Sequence, residues 1–257
     1  MRRAAVVLAA LPLVLAACGG GGSKSSEVQL TPTAYVMQSA KKSAGATSQH
    51  VTLSATAAVQ GQKVVLTGAG DFSQQDKVGA MTVHANIGGL DVQIDEVLSG
   101  TTIYMKAPLF AASLPQGKTW MKLDLQKLGT SQGLDFGSLL GQDPSQSFDS
   151  LRASTHVTEV GDETIDGTDT THYRGRIDAA KLPAALKKLR VTYRPYDVWI
   201  GKDDGYVRRM RTSYSAAGQT IATTMNFSDF GKDVTVDVPP ADQTADMTDQ
   251  SLQGLGG

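Results

Sequence analysis

The sequence predicts an α+β chain that is mainly β: one strongly curved antiparallel sheet, long enough to form a half-barrel, with a few helices. Three observations carry this. From residue 51 onward apolar side chains recur at every second position, the period of a strand with one buried face. Short clusters of Gly, Asn, Asp and Ser separate these runs at hairpin spacing, so consecutive strands are antiparallel neighbours. A helical period is confined to the first structured segment and to two connections. The 257 residues are 40% hydrophobic, too apolar for a disordered chain, yet they lack the repeated long apolar runs of a multi-span membrane protein.

The first element precedes the fold. Arg2 and Arg3 lead into an apolar run from Ala4 to Leu15, a basic n-region and an h-region too short for a stable spanning helix. The polar residues usual around a twin-arginine motif are missing, so ordinary secretion is expected. Leu15-Ala16-Ala17-Cys18 resembles the lipobox of bacterial lipoproteins. The resemblance implies that residues 1–17 are a signal peptide cleaved before Cys18, and that the Cys18 sulfur carries a diacylglycerol. Cys18 is the only cysteine, which excludes internal disulfides and cysteine-based zinc sites. The remaining 240 residues carry 22 basic and 25 acidic side chains, a net −3 that offers no footprint for nucleic acid. Acyl burial, at about 0.8 kcal/mol per CH₂, is therefore the expected anchor. Residues 18–30, including Gly19 to Gly22 and Ser23, form a lipidated cysteine and flexible tether. The expected location is the outer face of the cell membrane, reached by export.

A single domain is expected over residues 31–240. It opens with a helix from Pro32 to about Ala44, with Thr31 as N-cap, Pro32 in the first turn and Gly45 as the stop. Val36, Met37, Ala40 and Ala44 fall near one helical face. Strands follow at Val51–Val59, Val64–Thr67, Met81–Ile87, Leu90–Asp95, Thr101–Lys106 and Trp120–Leu125. Val157–Asp178 holds two strands around Asp166-Gly167, and Asp197–Ser215 two more around Asp203-Asp204-Gly205. Gln219–Phe230 and Val234–Val238 complete ten or eleven strands, with a short helix near Ala179–Leu189 and a polar tail at 241–257. Residues 129–154 are too apolar for a solvated loop and too long for a hairpin, so two short helices are expected over the sheet, as a lid or a fixed layer.

Motifs with catalytic associations carry little weight in this setting. Ser39-Ala40-Lys41-Lys42 matches S-x-x-K, but its helical spacing fits an amphipathic surface, and no S-D-N follows. Gly129-Thr130-Ser131-Gln132-Gly133 matches G-x-S-x-G without the parallel sheet a nucleophile elbow requires. His50, His84, His156 and His172 show no metal-ligand spacing and are expected to be solvated. Asp162, Glu163, Asp166 and Asp169 do not fit a calcium loop and are expected as turn acids. Arg208, Arg209 and Arg211 are expected on a solvated strand face, and Asn226-Phe227-Ser228 matches a sequon without consequence in a bacterial lipoprotein.

Two longer segments resemble the LppX/LprG family of actinobacterial lipoproteins, and more distantly the LolA/LolB carriers. They are Val160-Gly161-Asp162-Glu163-Thr164-Ile165-Asp166-Gly167, with Thr171-His172-Tyr173 and Ile177-Asp178 after it, and Asp197-Val198-Trp199-Ile200-Gly201, with Asp203 to Arg209 after it. Val238-Pro239-Pro240-Ala241 fits as well. The resemblance implies a LolA-like half-barrel whose concave face, roofed by helices, encloses an apolar cavity for acyl chains of a lipid, lipoglycan or lipoprotein. The expected function is a membrane-anchored carrier through the envelope, with no enzymatic activity, cofactor or metal. Its expected partners are an acylated ligand, the membrane through Cys18, and an envelope transporter or other envelope protein. The cavity is expected to be lined by Leu53, Leu66, Met81, Val83, Ile94, Ile103, Met105, Met121, Leu123, Met225 and Phe227. An anchored sensor or protein-interaction module, and a structural lipoprotein with a filled core, are the alternatives.

Overall fold

The computed structural model describes residues 30–59, 62–87, 89–132, 148, 150–181, 192–216 and 219–255. The expected signal peptide, Cys18, the expected tether up to residue 29, most of the 129–154 insertion and all but the opening turn (Ala179–Lys181) of the helix expected near Ala179–Leu189 lie outside these residues.

Thirteen strands form one curved, unclosed sheet. Six of them make a consecutive antiparallel meander: β1 (Ser48–Val59), β2 (Gln62–Ser73), β3 (Val78–Ile87), β4 (Leu90–Ser99), β5 (Thr102–Lys106) and β6 (Trp120–Asp124). The second half comprises β7 (Ser154–Ile165), β8 (Thr168–Ile177), β9 (Thr192–Tyr193), β10 (Tyr196–Gly201), β11 (Val207–Ala216) and β12 (Gln219–Ser228). The halves meet where β1 pairs antiparallel with β12, from His50 opposite Ser228 to Ala57 opposite Ile221. The turns follow the chemistry of their residues: Asp166 and Gly167 both adopt positive φ at the β7–β8 hairpin, as a tight two-residue turn requires.

Helix α1 (Pro32–Ala44) starts as its sequence dictates, with the Thr31 Oγ1 accepting from the Ala34 N–H at 3.3 Å and Pro in the first turn. It buries Val36, Ser39, Ala40 and Ser43 against the sheet. Met37, expected on this face, is exposed instead, because the 36–39/40–43 stripe puts it on the flank. The core gathers Val36 and Ala40 with Val51, Phe148, Leu151, Tyr173, Tyr196, Val198, Ile200, Val207, Met210 and Phe227. Phe148 and Leu151 thus belong to the core, consistent with the apolar character of the insertion they end.

Two expectations near the C-terminus are corrected. Val234–Val238 is not a strand, because both edges of β12 are already taken by β1 and β11. Residues beyond 240, expected as a tail, add β13 (Thr244–Asp246), which pairs parallel with β6 from Thr244 opposite Trp120 to Asp246 opposite Lys122. This strand covers backbone groups that β6 would otherwise leave bare at the sheet edge. Helices α2 (Leu125–Gln132) and α3 (Thr248–Leu255) then contact one another beyond β6. The Thr248 Oγ1 accepts from the Asp124 N–H at 3.0 Å, tying α3 to the end of β6.

Candidate functional site

In an antiparallel sheet, residues directly opposite one another share a face. One row of partners runs Phe227–Val51–Gly70–Met81–Glu96–Met105–Met121 across seven strands. The next runs Met210–Met225–Leu53–Gly68–Val83–Ile94. Leu66 opposite Ala55 and Leu123 opposite Ile103 extend the same side. All eleven residues expected to line a cavity therefore project from one face, which is also the face that α1, Phe148 and Leu151 cover.

That inner face has two unlike halves. Around β1 and β7–β12 it is filled by the core side chains. Across β2–β6, Leu66, Met81, Ile94, Met105, Met121 and Leu123 are only half-buried, while Val83 and Ile103 are buried. Leu53 and Met225 are also half-buried, and Phe227 packs on Phe148 with ring centroids 4.6 Å apart. Gly68 and Gly70 keep the centre of this face low. A Cβ at Gly70 would overlap the Ala80 carbonyl and Met81, so the strands can bend closely only without one. Glu96 stands between Met81 and Met105 on the same side, the one ionisable side chain facing inward from the described positions of β1–β6. The strand expected at Leu90–Asp95 ends one residue short of Glu96. Continuing the period by one residue finds it.

Burial sets the electrostatics of the filled half. The phenols of Tyr173 and Tyr196 are each pushed up to about 12, foremost by desolvation, so both remain neutral at ordinary pH. The Tyr196 hydroxyl donates to the Ser154 Oγ at 2.6 Å, and Ser154 in turn donates to the Leu151 carbonyl.

The serines of the S-x-x-K and G-x-S-x-G matches both lie within helices. Ser39 is buried in α1, its carbonyl accepting from the Ser43 Oγ at 2.8 Å, while the Lys42 Nζ donates to the Asp204 carbonyl at 2.5 Å. Ser131 lies near the end of helix α2, away from the strand-to-helix junction at Asp124–Leu125 where a nucleophile elbow would stand. Among the described residues no three or more metal-ligating side chains converge. The Asn226 amide donates to Thr52 at 2.9 Å and accepts from Arg209 within the sheet.

Histidine 172 corrects the expectation of four solvated imidazoles. It is 6% exposed, with Nδ1 3.0 Å from Glu163 and Nε2 2.8 Å from Asp197, and stacks on Trp199 at 4.2 Å. Arg209 and Arg211 lie over the same indole at 5.9 and 5.4 Å, and Arg208 pairs with Asp204; Arg208 and Arg209 are half-buried rather than solvated, while Arg211 is exposed as expected. Strand periodicity places His172 on the outer face correctly, but its carboxylate partners come from two other strands.

The chain matches known proteins along nearly its whole folded length. A putative lipoprotein of Streptomyces coelicolor is 26% identical over 276 residues, covering 94% of this chain and 92% of that protein. An uncharacterized 31.2 kDa protein from the rplA–rplJ intergenic region of Streptomyces griseus is 27% identical over 258 residues, covering 91% and 77%. The crystal structure of the Mycobacterium tuberculosis lipoprotein LppX superposes with a TM-score of 0.52 at 23% identity, covering 80% of this chain and 98% of that one. LprF from Mycobacterium bovis does so with a TM-score of 0.52 at 19% identity, covering 81% and 96%. These two show the shared fold. Residues 31–236 match the family model described as LppX_LprAFG lipoprotein, and the chain belongs to that family.

Proposed function

We propose that the protein is a membrane-anchored, non-enzymatic lipoprotein that holds acyl chains against the inner face of β2–β6 and carries the acylated molecule through the envelope. The observation that carries this is the half-buried run of Leu66, Ile94, Met105, Met121 and Leu123 beside a packed core on the same face, with Met81 and Met225 half-buried at its margin. A solid core would bury both halves alike. Burial of methylenes at about 0.8 kcal/mol each gives a fifteen-carbon chain roughly 12 kcal/mol before ordering costs, so no ionic contact is needed to hold it. The flexible methionines suit chains of varied shape. Acylation of Cys18 would fix the carrier to the outer face of the membrane.

Native mass spectrometry tests this on the Cys18→Ser protein recovered from its own envelope. A co-purifying acylated molecule, displaced by fluorescent fatty acid, is the expected result. Protein that is free of lipid and takes up no fatty acid would overturn the carrier reading. A retained protein partner in place of lipid would replace it with an interaction module.

A further inference from the structure

The outer face carries a feature unrelated to the apolar one. Arg194 and Pro195 interrupt what would otherwise be one long strand: β9 pairs with β11 at Tyr214 and Ser215, and β10 pairs with the same strand from Arg211 onward. Pro195 has no N–H to offer the ladder, while the Arg194 N–H still donates to the Ser213 carbonyl at 2.9 Å. A cleft opens on either side of the interruption. One, of about 450 Å³, lies toward β8 between Arg174, Arg176, Pro195 and His156. The other, of about 340 Å³, lies toward β11 between Arg174, Arg194, Asp197 and Arg211.

Four arginines face a single carboxylate across these clefts. Asp197 is already engaged, accepting from the Arg174 Nε at 2.8 Å and lying 2.8 Å from the His172 Nε2. Among the described residues no carboxylate pairs with Arg176, Arg194 or Arg211, and all three are exposed. Arg211 is steadied by the Trp199 ring. Guanidinium forks match phosphate oxygens bidentately, and their concentration on a chain of net negative charge marks this area for an anion. The strand directions place the clefts at the end of the sheet that also holds the β1–β2, β3–β4 and β11–β12 connections. Leu90 and Leu109, 67% and 55% exposed, lie at that same end. Exposed leucines serve no purpose for a free anion but fit a lipid surface.

We propose that the clefts flanking Pro195 bind the phosphodiester headgroups of anionic phospholipids and bring this end of the half-barrel onto the bilayer. The clefts lie on the opposite side of the sheet from the acyl-binding face, so the two readings stand or fall separately.

The test compares the full chain carrying Cys18→Ser with the same chain carrying R176Q/R194Q/R211Q as well. None of these three arginines holds a carboxylate, so both proteins should melt cooperatively, with at most a small drop from the lost Arg211–Trp199 contact. Both proteins are sedimented with vesicles of phosphatidylcholine, alone or mixed with phosphatidylglycerol. Any leader contribution is common to both. The expected result is a preference of the parent for phosphatidylglycerol that falls roughly a hundredfold in the triple variant, about fivefold per arginine, and weakens with salt. Fatty-acid uptake should be equal in the two proteins. Equal vesicle binding by parent and variant would overturn the proposal. So would inorganic phosphate that competes as strongly as phosphatidylglycerol headgroups, since it would identify a free-anion site.

Discussion

Tyr196 shows how one residue ties the sheet to its cover. It is 1% exposed, its hydroxyl reaches Ser154 beside the helical turn at Ser150–Ala153, and Gly175 opposite it has no Cβ because one would sit 2.5 Å from the phenol oxygen. Its ionisation is linked to stability. An acid whose folded value is raised from 10.0 to about 12 stabilises the fold fully below pH 10 and loses that contribution as pH rises toward 12. The loss is on the order of 3 kcal/mol. Chemical denaturation at stepped alkaline pH should show this decline. Tyr196→Phe should start about 1 kcal/mol less stable at neutral pH and decline less steeply, with Tyr173 and Tyr214, both raised by burial, supplying the residual slope. An unchanged slope in the variant would refute the assignment.

Among the elements, α1 was the most legible, because its cap, its first-turn proline and its terminal glycine are local signals. The long hairpins were legible for the same reason. What the period did not reveal was how α1 docks. Ser43 is fully buried, and its hydroxyl accepts from the Val207 N–H at 2.9 Å while donating to the Ser39 carbonyl, bridging helix and β11 over 164 residues. A serine in a helix reads as a neutral surface residue until the partner strand is known. Ser43→Ala would leave a buried N–H unpaired, so urea denaturation should show a loss of about 2 kcal/mol. β13 escaped detection because three residues are too few to display alternation, and its parallel partner lies more than 120 residues earlier.

At the scale of the molecule, strand parity was legible in the sequence: the eleven residues expected to line a cavity project from one face, although Glu96 on that face was not foreseen. Parity could not divide that face into a packed half and a half-buried one, since the division depends on where α1 and the Phe148–Leu151 segment come to rest. The division yields a further prediction. Met81→Glu and Met105→Glu place charge among half-buried apolar side chains next to Glu96, at positions that are not sealed. Fluorescent fatty-acid titration should show uptake reduced at least tenfold, with far-ultraviolet circular dichroism retained. Uptake equal to the parent would remove β3 and β5 from the binding face.

The seam between β1 and β12 has a kinetic meaning. Within each half the antiparallel neighbours are close in sequence, but the seam joins residues 50–57 to 221–228, as the short parallel pair of β13 with β6 joins 244–246 to 120–122. Loop closure on that scale is slow compared with hairpin formation, so the hairpins of each half can assemble early and the seam late. A chain emerging N-terminus first presents β1 with a bare edge until almost the whole sequence has appeared, and in that interval it is open to pairing with other chains.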